Sequence, residues 1–529
     1  MSHGAAEAGL VPLRAAVIRA PDDPGPRLAL GEALLRLGRA PEAEMVLRRA
    51  ADLAPDHGAA RRLLGRALRS AGRAAAAEAA FRAAISLDSG DAASCNDLGI
   101  LLARTGRLAA AVPFFEMAAA RDPGGASAHA NLCAAYGELG QLEAAVVSGR
   151  RAVALDPGHA NAHANLGTVL DRLGHPDRAV AAFAAALSAS PRHVNARANL
   201  GLALTRLGLF EEGLAALGAA LRAEPGHAQA QLSLATTMLL LGRLEEGFAA
   251  YEHRPKAAAP DGTPTWMGEP LAGKTVRLEA EQGLGDTIQF VRYVPEMVRR
   301  GARVHLVAPA PLAPLLRGMA GIDLVLAPGA AGPAADFRCP LPSLPHRFGT
   351  RLETIPAPVP YLRASPEAVG RWQARIGGLP GRRIGLVWAG NPAHRNDNAR
   401  TIAFARLAPL WDVPGVSWVS LQCGSAAAAL GDAPPGRILD ISSGLHDFGE
   451  TAGALANLDL LITVDTSVAH LAGAMGLAAW VLLACPPDWR WLLERGESPW
   501  YPTLRLFRQE QAGDWEGVLC RVSGVLNRH

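Results

Sequence analysis

The sequence predicts an α-solenoid followed by an α/β region with two parallel sheets, and three observations carry the prediction. Glycine recurs every 34 residues through the first half, at 38, 72, 106, 140, 174, 208 and 242. In the second half, short apolar runs with β-branched members alternate with helical stretches, the pattern of parallel sheets covered by helices. Between the halves, residues 255–273 hold four prolines and three glycines, a boundary composition. At 529 residues the chain exceeds one ordinary core, so at least two domains are expected.

The first half keeps its register in several columns. Leucine stands at 30, 64, 98, 132, 166, 200 and 234, and the next residue is small each time. Ala43, Ala77, Ala111, Ala145, Ala179, Gly213 and Gly247 form a second small column, which allows two helices of a repeat to approach closely. Pro55, Pro123, Pro157, Pro191 and Pro225 end second helices. A period of 34 with these columns is that of the tetratricopeptide repeat. Seven repeats are read over 24–261, with 1–23 as a capping segment and 262–272 as a linker in which Trp266 serves as an anchor.

Asp97, Asn131, Asn165 and Asn199 precede the invariant leucine at one position of successive first helices. An amide offers both a donor and an acceptor, so a row of them can clamp an extended backbone without reading its side chains. The row resembles the asparagine ladder of the O-GlcNAc transferases, which implies an acceptor-binding role for these four residues. The alternative is a polar column that bonds repeat to repeat. His129 and His163 read as surface polar residues.

Strands are expected at 275–280, 303–308, 323–326, 383–389, 416–422, 460–464 and 480–483. After the first, Gly283 and Gly285 predict a tight turn with positive φ, and Asp286 stands at the start of a helix. A carboxylate facing a cleft can take the proton of an attacking hydroxyl; the alternative is a plain helix cap. The run 459–476 predicts a buried strand, then Asp465-Thr-Ser467, then a helix closed by Gly476. Backbone N–H groups and hydroxyls at such a helix start suit a diphosphate.

Val464-Asp-Thr-Ser-Val-Ala-His-Leu-Ala-Gly-Ala-Met-Gly476 resembles the signature of heptosyltransferase-like glycosyltransferases of family 9, with Ser467 where the signature has glycine. The resemblance implies a GT-B pair of Rossmann-like sheets, 273–365 on the acceptor side and 366–529 on the nucleotide-sugar side. It implies a nucleotide-sugar pocket lined by Gly285, Asp465, Thr466, Ser467 and His470, with Asp286 as base. Residues 385–392 resemble the loop opening the second sheet, with Arg400, or its rival Arg395, on the phosphates. Residues 422–425 are placed near the nucleoside, and 445–455 as a helix near the nucleotide. The aromatic-rich segments 487–491 and 498–501 offer flat rings that can stack on a sugar or base; the alternative, which is favoured, is that they cover a sheet edge.

Other classes are excluded. A net charge of +3, without a basic block, argues against nucleic acid or an anionic membrane. No signal peptide or membrane-spanning run is read, and six scattered cysteines suit a reduced, cytoplasmic setting. No metal spacing and no Walker loop occur. The resemblance implies an inverting, metal-independent glycosyltransferase, read here as bacterial. It needs no cofactor beyond the nucleotide-diphosphate sugar and acts on a polypeptide held by the repeats. The rivals are a glycan or lipopolysaccharide transferase that docks through its repeats, and a non-catalytic scaffold.

Overall fold

A computed structural model describes residues 3–256, 261–393 and 397–528. The chain forms two compact units, Met1–Pro225 and Gly226–His529. The division falls inside the repeat array, before the seventh repeat, and not in the linker after 261.

The first unit begins with the helix His3–Arg19 and continues as antiparallel helix pairs, from Pro24–Arg36 with Ala40–Leu53 to Val194–Arg206 with Phe210–Ala223. The glycine column has a backbone cause. Gly38, Gly72, Gly106, Gly140, Gly174 and Gly208 all take φ between +74° and +82°, in the turn joining the helices of each pair. The small column after the leucine has a packing cause. A Cβ on Gly65, Gly99 or Gly167 would come within 2.6, 2.5 or 2.8 Å of the ring of Phe81, Phe115 or Phe183. Ala43, Ala77, Ala111, Ala145 and Ala179 are fully buried between the paired helices. First helices are capped by His57, His159 and His193, whose Nδ1 accepts from the backbone N–H three residues on.

The second unit opens with the seventh repeat, Ala228–Leu240 and Leu244–Tyr251. Its second helix packs Phe248 edge-on against Phe290, Trp489 and Trp500 of the α/β part. The first sheet holds β1 (Thr275–Glu279), β2 (Arg303–Val307), β3 (Leu324–Leu326) and β4 (Phe337–Pro340) in the order β3-β2-β1-β4. The second holds β5 (Arg382–Val387), β6 (Val416–Ser420), β7 (Ile438–Asp440), β8 (Leu460–Val464), β9 (Ala479–Leu483) and β10 (Leu504–Arg508), in the order β10-β9-β8-β5-β6-β7. Every pairing is parallel. β8 is buried along its whole length, as an apolar run between neighbours on both sides requires. Strands β4, β7 and β10 were not expected from the sequence. Trp266 is fully buried, tilted against Phe348, and donates from its indole to the Glu269 carbonyl.

Strand order reverses between β1 and β4 in the first sheet and between β5 and β8 in the second. In parallel sheets such switch points open crevices beyond the carboxyl ends of the strands, where ligands bind. The loops after β1, β5, β6 and β8 all meet there.

Candidate functional site

A cavity of about 800 Å³ lies at these strand ends, and Gly285, Asp286, Arg400, Asp465, Thr466, Ser467 and His470 all line it. Arg395 lies outside the described residues.

Asp286 sits in the first turn of the helix Leu284–Phe290, three residues after its N-cap Gly283. Its Oδ2 accepts from the Gly283 N–H at 3.0 Å, and its Oδ1 accepts from Arg490 Nη2. Asp286 is therefore both a cap of its own helix and a wall of the cavity. The expected positive φ is absent: Gly283 has φ −65°, ψ 169°, and Gly285 is not in the left-handed region. The reason for glycine at 285 is close approach. A Cβ there would stand 2.9 Å from His470 Cδ2.

Thr466 is the N-cap of the helix Ser467–Ala474, but its side chain does not cap. Thr463 donates its hydroxyl to the Val464 carbonyl at 2.8 Å, so the Thr466 hydroxyl, 3.1 Å away, is the donor in the Thr463–Thr466 pair. The first-turn N–H groups are thus not covered by that hydroxyl, and Thr466, Ser467 and Val468 face the cavity. Gly476 closes the helix with φ +69°.

Arg400 ends the short helix Asp397–Arg400. Its Nε donates to Asp397 Oδ1 at 3.1 Å and its Nη1 to the Asp465 carbonyl at 3.2 Å, which ties this loop to the end of β8. A Cβ on Gly390 would lie 2.5 Å from Arg400 Nη2, so the glycine makes room for the guanidinium. Gln422 is spent on the same loop. Its Oε1 accepts from the N–H groups of Trp388 and Ala389, and its Nε2 donates to the Ala389 and Cys423 carbonyls.

The electrostatics set two protonation states. Burial pushes the Asp465 carboxyl up to about 6, the neighbouring Asp488 carboxylate adds to the rise, and Arg490 and Arg400 oppose it. His470 is buried, lies tilted over Trp491 and bonds Tyr501 Oη through Nδ1 at 2.9 Å. Burial, with Arg490 and Arg292 beside it, holds its pKa well below the ordinary value. At neutral pH His470 is therefore uncharged and offers a hydrogen bond, not a positive charge, to an anion.

Arg490 and Asp488 line the cavity too and escaped the sequence reading. The tryptophans of the run 487–491 are buried, as are Trp500 and Tyr501, with Trp489 packed on Phe248 and Trp500, and Trp491 on His470. The signal was the two charged residues set among tryptophans: Asp488 caps the 3-10 turn Trp489–Trp491 and lines the cavity with Arg490, while both tryptophans are buried.

In the first unit the amide row does not stand apart from its scaffold. Asn131 Nδ2 donates to Asn96 Oδ1 at 2.8 Å, Asn165 Nδ2 to the Ala130 carbonyl at 2.9 Å, and Asn199 Nδ2 to Thr168 Oγ1 at 3.2 Å. Each bond reaches the preceding repeat. Asp97 is a buried carboxylate held by Arg69 at 3.1 Å, not an exposed rung. The inter-repeat alternative thus accounts for one N–H of each amide and for Asp97.

A family model described as tetratricopeptide repeat matches residues 12–57, 28–92, 132–193, 164–217 and 200–261. The helical half is built of tetratricopeptide repeats. Protein FlbA of Caulobacter vibrioides is 29% identical over 289 residues, which are 49% of this chain and 48% of that protein. The chain thus spans about half the length of this curated relative. Among solved structures, the Cut9–Hcn1 assembly of the APC/C is 19% identical over 43% of this chain and 45% of its own, with a TM-score of 0.41. The tetratricopeptide protein TTC0263 of Thermus thermophilus is 25% identical over 34% of this chain and 99% of its own, with a TM-score of 0.31. Among the described residues no helix is long and apolar enough to cross a membrane, and no cluster of three or more His, Cys, Asp or Glu side chains has the geometry of a metal site.

Proposed function

We propose that the α/β part is a GT-B glycosyltransferase domain that moves a sugar from a nucleotide-diphosphate donor to an acceptor hydroxyl, with inversion and without a metal. The observation that carries the proposal is the pairing of two features across one cavity: the helix start Thr466–Val468, whose N-cap side chain does not cap it, and the Asp286 carboxylate. The first suits a leaving diphosphate, because oriented N–H groups stabilise charge as it develops. Arg400 adds a positive charge beside it, and neutral His470 adds a hydrogen bond. The second suits the base: the acceptor O–H proton passes to Asp286, the oxygen bonds the anomeric carbon, and the sugar–phosphate bond breaks with its electron pair going to the diphosphate.

The acceptor in this reading is a polypeptide that the repeats hold. The bonds from Asn131, Asn165 and Asn199 to the preceding repeats favour a second reading, in which the row is scaffolding and the acceptor is a glycan. Incubation of the full chain with radiolabelled UDP- and GDP-sugars and with candidate acceptors separates these. Label in protein supports the first reading and label in glycan alone supports the second. No transfer and no donor hydrolysis leaves the repeat scaffold without catalysis.

A further inference from the structure

We propose that Arg490 is a positioning residue that fixes the Asp286 carboxylate as a base; this rests on the transferase reading of the cavity. Each edge of the Arg490 guanidinium has an assigned partner. Nε donates to Gln289 Oε1 at 2.8 Å, Nη1 to Asp488 Oδ1 at 2.7 Å, and Nη2 to Asp286 Oδ1. The flat face lies over the Trp489 ring, 4.3 Å from its centre. Only 12% of the side chain is exposed, so the group has little freedom to leave this arrangement.

Gln289 gives independent support. It is fully buried, one helical turn after Asp286, and its Nε2 has no hydrogen-bond partner. An orphaned buried donor costs stability. The amide oxygen receives Arg490, so this buried glutamine is oriented for the arginine at the expense of its own nitrogen. Two residues of one helix, Asp286 and Gln289, thereby hold neighbouring edges of a single planar cation.

The consequence for Asp286 is geometric. Its Oδ2 is set by the Gly283 N–H and its Oδ1 by Arg490, so the carboxylate plane cannot rotate. Base catalysis depends on such fixed geometry. Asp488 takes a share of the arginine's charge, so Asp286 is not the sole anion against it. A lysine cannot replace this fork: an ammonium is a point charge, and three acceptors spread around one plane need a planar donor.

The test uses the full chain, with transfer to water from UDP- and GDP-linked sugars as the assay and calorimetric binding of UDP and GDP as the control. Arg490→Lys keeps the charge and is expected to bind the nucleoside diphosphate within about threefold of wild type while turnover falls on the order of 10²-fold. Arg490→Ala is expected to lose turnover as well and to recover part of it in millimolar guanidinium, a rescue that a merely structural role does not give. The thermal midpoint of each variant is recorded, and the lysine variant carries the test if the alanine variant fails to fold. Turnover of Arg490→Lys within threefold of wild type overturns the proposal, and so does a fall in turnover and nucleotide affinity together without guanidinium rescue. Wild type that binds none of UDP, GDP, ADP, CDP and dTDP and hydrolyses no sugar linked to any of them overturns the transferase reading itself.

Discussion

Gly285 and His470 touch across the two sheets' switch points: a Cβ on the glycine would meet His470 Cδ2 at 2.9 Å. The helices Leu284–Phe290 and Ser467–Ala474 cross at this point, which brings Asp286 and the Thr466 helix start to one cavity. Gly285→Ala must push the two helices apart or tilt the imidazole away from Tyr501. Overpacking of this kind costs about 1–3 kcal/mol. The expected result is a lower thermal midpoint and weaker nucleotide binding together. Wild-type stability in this variant would show that the crossing tolerates a methyl group.

Asp286→Asn separates the cap from the base. The amide oxygen still accepts from the Gly283 N–H, so the helix start is kept, but the charge is gone and the amide nitrogen cannot accept from Arg490 Nη2. Nucleotide binding should persist while turnover falls on the order of 10²–10⁴-fold. Steady-state kinetics beside calorimetry reads both. Retained turnover reduces Asp286 to a cap.

Asp465 makes the chain sensitive to pH. An unfolded aspartate titrates at ~3.9, and burial raises the folded one to about 6. The folded value is the higher, so the stabilising contribution is full below about pH 4 and is lost as pH rises through about 6. Asp465→Asn removes this loss. The variant should be more stable than wild type at pH 8, by on the order of 1–3 kcal/mol, with the difference closing towards pH 4. Denaturant unfolding at pH 4, 6 and 8 is the check, and a pH-independent difference contradicts the assignment.

The repeat row gives a prediction of opposite character. The triple variant Asn131→Ala, Asn165→Ala, Asn199→Ala loses three inter-repeat bonds, each worth roughly 0.5–1.5 kcal/mol, and regains part through the helix preference of alanine. The variant is expected to fold with a lower unfolding midpoint, to bind nucleotide as wild type does, and to show a raised Michaelis constant for a protein acceptor. Unchanged acceptor kinetics assign the row to scaffolding alone.

Periodic features were legible because one cause repeats: the same left-handed turn needs glycine at 38, 72 and 106, and the same crowded ring needs it at 65, 99 and 167. The strand β8 and the helix after it were legible because burial on both faces writes a continuous apolar run. Strands β4 and β7 were not, since four and three residues, with Pro340 or Asp440 among them, carry no period. The φ of Gly283 and Gly285 was misjudged because sequence does not distinguish a glycine needed for a turn from one needed for contact with a distant residue. Arg490 was hidden for a related reason: its partners Asp286 and Gln289 are about 200 positions away, and only the fold brings them to it.

The most direct measurement is calorimetric titration of the full chain with UDP and GDP, in wild type and in Arg400→Gln. The same titration is run with ADP, CDP and dTDP, because the diphosphate contacts do not select a base. The site as built predicts that at least one of the five binds at a single site per chain, and that the variant binds it at least tenfold more weakly. A wild type that binds none of them, or a variant with undiminished affinity, contradicts a diphosphate at the Thr466 helix start.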